Sequence, residues 1–263
     1  MALARYLNVG ICHLQNYEYI CNILTTLTMN KIIHMGQLVP LSKEMKLFEL
    51  IDGYPQLLSI FSRLNLTLPF GDVSVDEMCQ REGIDAELFM LLCNMHLDPQ
   101  HRPADKELRV EMLAGVVAYL RSSHGYYTGY MLPHVAQHLE RVLEHCDALS
   151  QRVLHSFYDD YVGFLAAHFE EEEREIFSVV DNIASELDAN FSMLEAPHGD
   201  IDDRTNDIAS LVIKSLPEGV PTALRCSLLD HIYMLRDDLR RHSAVEMMLL
   251  RPLVAKYQKT VER

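Results

Sequence analysis

The chain carries one constellation twice, at the same internal spacing. The first copy is His124, followed 44 residues on by His168-Phe-Glu-Glu-Glu172; the second is His198, followed 44 residues on by His242-Ser-Ala-Val-Glu246. Each pair reads His-x-x-x-Glu, so on a helix both side chains lie on one face, a turn apart. Four imidazoles and two carboxylates, delivered as two like halves, suit a two-metal site inside a four-helix bundle. One such pair is a common accident. A duplicated set constrains the fold, because helices must bring the two halves together.

The periodicity supports that architecture. Residues 42–97 read as short helices: Leu47, Leu50, Ile51, Leu57, Leu58, Phe61 and Leu64 keep a helical period, broken once at Gly53-Tyr54-Pro55. Pro69-Phe-Gly71-Asp reads as a turn, Ser74-Val-Asp-Glu77 as a capping box, and Gly83-Ile-Asp85 as the end of one helix and the cap of the next. The stretch from Asp98 to Ala104 has linker composition. Four long helical patterns follow. The first carries Leu113, Val117, Leu120, His124, Tyr127, Met131, Val135 and Val142. The second carries Leu149, Val153, Phe157, Tyr161, Leu165, His168, Glu172 and Ile176. The third is shorter, from about His198 to Leu216, and the fourth carries Leu224, Leu228, Leu235, Leu239, His242, Glu246, Leu249 and Leu253. No strand-like alternation is present. The predicted fold is all-α: a small helical domain over residues 35–103, then an antiparallel four-helix bundle over 104–263. Residues 1–34 are uncommitted. Met29 and Met35 are both candidate starts, which leaves an over-extended reading frame as one explanation of the segment.

Phase separates a buried metal pair from a solvated one. The run Glu170 to Glu173 invites reading His168 and Glu172 as an exposed acidic face. Both nevertheless fall in register with the apolar positions of their helix, as His242 and Glu246 do with theirs. A carboxylate on a buried seam is costly without a partner, and two at matching depth repel; a pair of divalent cations removes both problems. His198 is the weakest member, because Pro197 and Gly199 place it at a helix start; Asp202, one turn on, is its substitute. Mixed imidazole and carboxylate ligation without thiolate suits iron or manganese and disfavours structural zinc. Tyr127 and Tyr161 lie within two turns of ligands and are candidates to hydrogen-bond a bound oxygen species, with core packing the competing role. The other histidines read as surface or capping residues. His138 lies about 21 Å along the helix from His124, and His231 about 16 Å from His242, too far to share the site.

Composition excludes several classes. Of 263 residues, 38 are acidic and 23 basic, a formal net charge of −15 with no basic face, so nucleic acid and anionic membrane surfaces are poor partners. No apolar run reaches the roughly 18 residues of a membrane span. The six cysteines are scattered through apolar periodic segments with no C-x-x-C pair, which suits buried thiols and a reducing cytoplasm.

At these residues the chain resembles the hemerythrin-like superfamily, the His-His-Glu cation-binding bundles. The matching segments are Leu120-Arg-Ser-Ser-His124 with Leu132-Pro133, His168 to Glu172 with Ile176-Phe177, Pro197-His198, and Leu235 to His242 with Glu246 and Pro252. Leu57 to Arg63 through Gly71, then Val75 to Asp85, is similar to the small helical domain of the repair-of-iron-centres di-iron proteins. That likeness implies a non-haem di-iron site with His124, His168, His198 and His242 as terminal ligands and Glu172 and Glu246 as bridges. It implies work on oxygen, nitric oxide or iron under stress, including iron–sulfur cluster repair. Manganese or zinc would also fit such a cage. The family's small domain bears an adjacent cysteine pair before a glycine turn; here Leu66-Thr-Leu-Pro-Phe-Gly71 has none, so a thiol-dependent step lacks its residues. A sensor of the same ligands, signalling to a separate protein through the small domain, is the alternative, and a homodimer through that domain's apolar helices is open. By repeat symmetry His124 and His168 would serve one iron, and His198 and His242 the other.

Overall fold

A computed structural model describes residues 41–181 and 199–261, so the N-terminal extension and His198 lie outside the described residues. Ser42–Arg263 form one compact unit, and its described residues hold helices joined by turns and loops, with one isolated bridge between Lys46 and Ser74 and no strand.

Four short helices come first: α1 (Leu47–Gly53), α2 (Leu58–Arg63), α3 (Val75–Glu82) and α4 (Ala86–Leu97). Their ends follow the local chemistry. Gly53 ends α1 and Pro55 opens a short 3₁₀ turn. The Ser74 hydroxyl accepts from the Glu77 amide at 3.2 Å, and the Glu77 carboxylate accepts from the Ser74 amide at 2.7 Å, a complete capping box for α3. Gly83 closes α3 at φ 69, the left-handed conformation that costs glycine least. Asp85 caps α4 by accepting from the Glu87 and Leu88 amides.

The bundle follows. Its first helix is α5 (Leu113–Tyr126), a π-helical turn (Tyr127–Met131) and α6 (Leu132–Leu143). Its second is α7 (Ala148–Glu172), a π turn (Glu173–Phe177) and α8 (Ser178–Asp181). The third is α9 (Gly199–Lys214). The fourth is α10 (Thr222–Val245), a π turn (Glu246–Leu250) and α11 (Arg251–Val261). This is the expected antiparallel four-helix bundle behind a small helical region. Asp147 starts α7 by accepting from the Leu149 and Ser150 amides at 2.9 and 3.0 Å. The core runs along the bundle axis through Val135, Leu139, Leu154, Tyr158, Leu165, Val212, Leu228, Ile232 and Leu235.

One part of the expected seam is displaced. Leu149, Val153 and Phe157 are exposed, at 63%, 41% and 46%, whereas Leu154, Tyr158, Tyr161 and Leu165 are buried. Successive steps of four residues turn a helix by about 400°, so a string spaced 149, 153, 157 drifts about 40° per step off the core face. The buried string alternates steps of four and three and stays on it.

The short helices pack onto the bundle through an arginine. Arg63, at the end of α2, is 3% exposed and ion-pairs with Asp238 on α10. Its guanidinium lies 4.7 Å from the ring centre of Tyr126 and 5.4 Å from that of Tyr127. Burial opposes its charge, but the groups around it, the Asp238 carboxylate among them, outweigh burial and raise its pKa. Gly115 on α5 lets that helix approach α4, since a Cβ there would meet Leu88 Cδ2 at 2.7 Å. Cys79 and Cys93 are buried among apolar side chains, and burial pushes the Cys79 thiol up to about 12, which keeps it a hydrophobe and not a nucleophile.

Removing one member of a buried ion pair leaves an uncompensated charge. Asp238→Ala should therefore cost about 3–5 kcal/mol, against about 1 kcal/mol for the exposed cap in Asp147→Ala. Denaturant unfolding of both variants reads the order; equal losses would show that the buried pair does no more than a surface cap. His96 gives a pH signature. Burial first, and Arg241 second, push its pKa down to about 4, while an unfolded imidazole titrates near 6.5. Between those values the unfolded chain binds the extra proton, so stability falls as pH drops from about 6.5 toward 4. His96→Gln should flatten that part of the stability–pH curve; an unchanged slope would remove His96 as its source.

Candidate metal centre

Three long helices aim titratable side chains at one point in the bundle interior. His124 comes from the last turn of α5, Glu172 from the end of α7, His242 from α10, and Glu246 from the first position of the π turn after α10. All four are buried, and one ligand atom from each lies within 4.8 Å of the others. His124 Nε2 is 3.1 Å from His242 Nε2 and 3.2 Å from Glu172 Oε2. His242 Nε2 is 2.8 Å from Glu246 Oε1. His168, half-buried on α7, places Nε2 3.1 Å from Glu172 Oε1, at the edge of the group.

Glu173 sets the tautomer of His124. Nδ1 lies 3.0 Å from Glu173 Oε1, and an ionised carboxylate only accepts, so Nδ1 carries the proton. In the neutral imidazole Nε2 is then a bare lone pair, and it faces a carboxylate oxygen and a second imidazole. Lone pair against lone pair at this distance is repulsive unless a proton or a cation sits between them. Carboxylate–histidine–metal is the usual arrangement by which an outer carboxylate fixes the tautomer of a ligating imidazole. The donor set of imidazole and carboxylate without thiolate fits iron or manganese. His242 adds a buried orphan, since its Nδ1 has no hydrogen-bond partner among the described residues.

Aromatic rings wall the group off. His124 is stacked between Phe169, at 4.3 Å, and Phe177, at 5.3 Å, each 18° from coplanar. Tyr127 meets His242 edge-on at 5.6 Å, but its hydroxyl turns away and donates to the Asp238 carbonyl at 3.2 Å. The Tyr161 hydroxyl pairs with Thr205 Oγ1 at 2.8 Å. Both tyrosine hydroxyls are thus engaged with protein groups.

Each of the three ligand-bearing helices passes through a π turn at the site: Tyr127–Met131 just after His124, Glu173–Phe177 just after Glu172, and Glu246–Leu250 beginning at a ligand. Such turns insert one residue into a helix and are frequent at functional sites. Two prolines mark them. Pro133 and Pro252 are each the second residue of the α-helix that resumes after a π turn. A proline inside a regular helix lacks its N–H and clashes with the carbonyl four residues back; the widened turn relieves both faults.

Several placements differ from the sequence reading. His124 Nε2 meets His242 Nε2 across the two sequence halves, while His168 lies at the edge of the group against Glu172. Asp202, the proposed substitute for His198, is engaged by Arg240, whose Nε is 2.9 Å from both carboxylate oxygens. Glu173 was hidden in the acidic run 170–173, and only its phase one residue past Glu172 could have singled it out. His134 and His138, expected as surface or capping residues, are half-buried and meet His231.

The family model for the hemerythrin HHE cation binding domain matches residues 97–254, more than half of the chain. No curated protein and no solved structure matches.

An ion held by the folded chain and not by the unfolded one stabilises it, by about 2.7 kcal/mol when free ion is 100 times its dissociation constant. Chelated protein should melt at a lower temperature than protein reloaded anaerobically with ferrous ion, and Glu246→Ala should remove the difference. Identical melting curves for chelated and reloaded protein would mean the buried group holds no ion.

Proposed function

The chain belongs to the hemerythrin HHE cation-binding domain family, and on that premise we propose that it is a non-haem di-iron protein handling oxygen, nitric oxide or iron under stress. The observation that carries the reading is the buried group His124, Glu172, His242 and Glu246, four donor side chains each offering a ligand atom within 4.8 Å of the others. His168 and His198 complete the proposed set of six ligands, with Glu172 and Glu246 as bridges. Manganese or zinc could occupy the same cage. A pair of iron ions would supply one-electron chemistry and open coordination positions for a diatomic molecule.

The chain's own residues would condition that chemistry. Phe169 and Phe177 keep water from His124, and Glu173 holds the His124 ring so that Nε2 presents its lone pair. The Tyr127 and Tyr161 hydroxyls are satisfied elsewhere, so a diatomic ligand would meet an apolar wall. An environment of that kind favours small uncharged ligands over anions. Iron–sulfur cluster repair is the stress role we favour, carried out by iron delivery without a cysteine pair in the small helical region. No helix of the described residues is long and apolar enough to cross a membrane.

One observation favours a sensor as the second reading. Asp238 sits one helical turn before His242, and through it Arg63 ties the short N-terminal helices to the helix that carries two ligands. A change at the metal could thus reach a partner-facing surface of the small helical region.

Replacing Glu172 and Glu246 together with alanine should abolish two-iron loading, measured as metal per chain by plasma mass spectrometry; full loading of that variant would sink the di-iron assignment. Repair and sensing separate on one mixture. Iron-loaded protein given an apo iron–sulfur acceptor should lose iron to it if it repairs. A sensor should keep its iron and bind nitric oxide reversibly.

A further inference from the structure

Three histidines outside the buried group converge at the far end of the bundle. His134 and His138 lie one turn apart on α6, and His231 faces them from α10. One ring nitrogen from each lies within 4.8 Å of the other two. The ring centres are 4.9, 4.7 and 3.9 Å apart. Along their helices His138 is about 21 Å from His124 and His231 about 16 Å from His242, so no residue is shared with the first site.

Ser227 prepares two of the rings. Its backbone carbonyl lies 2.6 Å from His231 Nδ1, and a carbonyl only accepts, so that nitrogen carries the proton and Nε2 is left bare. Its hydroxyl lies 3.1 Å from His138 Nδ1 and so orients the second ring. Outer hydrogen bonds of this sort set tautomer and direction in ligating histidines. Tyr130 covers the third ring, stacked 7° from coplanar with His134 at 5.9 Å. Burial, then the neighbouring His231, His134 and Arg141, all disfavour a proton on His138. Arg141 also opposes a cation here, so any ion must be held by direct nitrogen bonds. All three rings are half-buried, leaving access from solvent.

We propose that His134, His138 and His231 form a second metal site, separate from the carboxylate-bearing one, for a single zinc-class divalent ion held by three imidazole nitrogens with water in the fourth position. Imidazole without carboxylate selects zinc, copper or nickel over magnesium, calcium or manganese. A tetrahedral zinc ion with bonds of about 2.0–2.1 Å wants its nitrogens about 3.3 Å apart. The His138 and His231 rings stack at 3.9 Å, 20° from coplanar, so binding turns their half-buried side chains until both nitrogens point edge-on at the shared ion. Three protein ligands leave one position open, the arrangement of zinc sites that bind water or a substrate.

The test is zinc binding by tag-free, full-length protein. After chelation, wild type, His231→Ala and Glu246→Ala are dialysed against zinc chloride, and metal per chain is measured. Wild type should bind one zinc more than His231→Ala, and Glu246→Ala should keep that zinc while losing metal from the first site. Cobalt(II) titration supplies a spectroscopic reading: a one-equivalent component of intense, four-coordinate visible bands, present in wild type and absent from His231→Ala. His134→Gln, which retains size and polarity, should weaken zinc binding at least tenfold, with unfolding curves showing that both histidine variants fold. Equal zinc stoichiometry in wild type and His231→Ala would overturn the proposal and leave the three rings as a stacked packing cluster. Loss of metal in Glu246→Ala alone would count against it equally, because it places all bound zinc at the first site.

Discussion

Two carboxylates and two imidazoles stand against one another in the bundle interior, where water cannot separate them. Among the described residues no other cluster puts as many titratable side chains together out of water, and burying them is costly. The placement of this group accounts for much around it. Helices supply the ligands because a turn brings residues four apart onto one face, and several helices are needed because one turn of one helix offers only two of them. Phe169 and Phe177 belong beside His124 because flat apolar faces exclude solvent and hold the ring without competing for its nitrogens.

Outside that centre the contacts change character. Tyr127 belongs to two neighbourhoods: its ring edges against His242, and its hydroxyl reaches the Asp238 carbonyl beside the Arg63 ion pair. The same aromatic surface thus meets an imidazole on one side and a guanidinium on the other. That continuity joins the short N-terminal helices to the bundle as one compact unit and not as a domain on a tether.

Much of this was legible in the residues. His242 and Glu246 share a spacing and phase that a helix converts directly into a buried pair, and Ser74 with Glu77 and Gly83 with Asp85 end helices where local hydrogen bonding says they should. Other features had no local signal. Arg63 is an ordinary polar position in its own helix, and becomes buried only because Asp238, 175 residues away, arrives opposite it. His231 gives no hint of His134 and His138, since the three share neither a segment nor a spacing. Leu149, Val153 and Phe157 misled because apolar residues four apart resemble a seam over a short stretch and rotate out of it over a longer one. The facing of His124 and His242 depends on how the two halves close together, which equal spacing leaves open.

The π turns fix the length of these helices more tightly than their composition. Each takes up one extra residue beside a ligand, and winding the same residues as regular α-helix would swing everything beyond it by about 100°. For the first helix that would carry the face formed by Val135, Leu139 and Val142 away from the core. For the fourth it would also set Pro252 into a regular turn that has no room for it. Around this centre the extra residue leaves the phase of the helix unchanged and supplies the wide turn that sits beside the ligand and makes room for Pro252. Related chains aligned across these segments should differ in letters and agree in count.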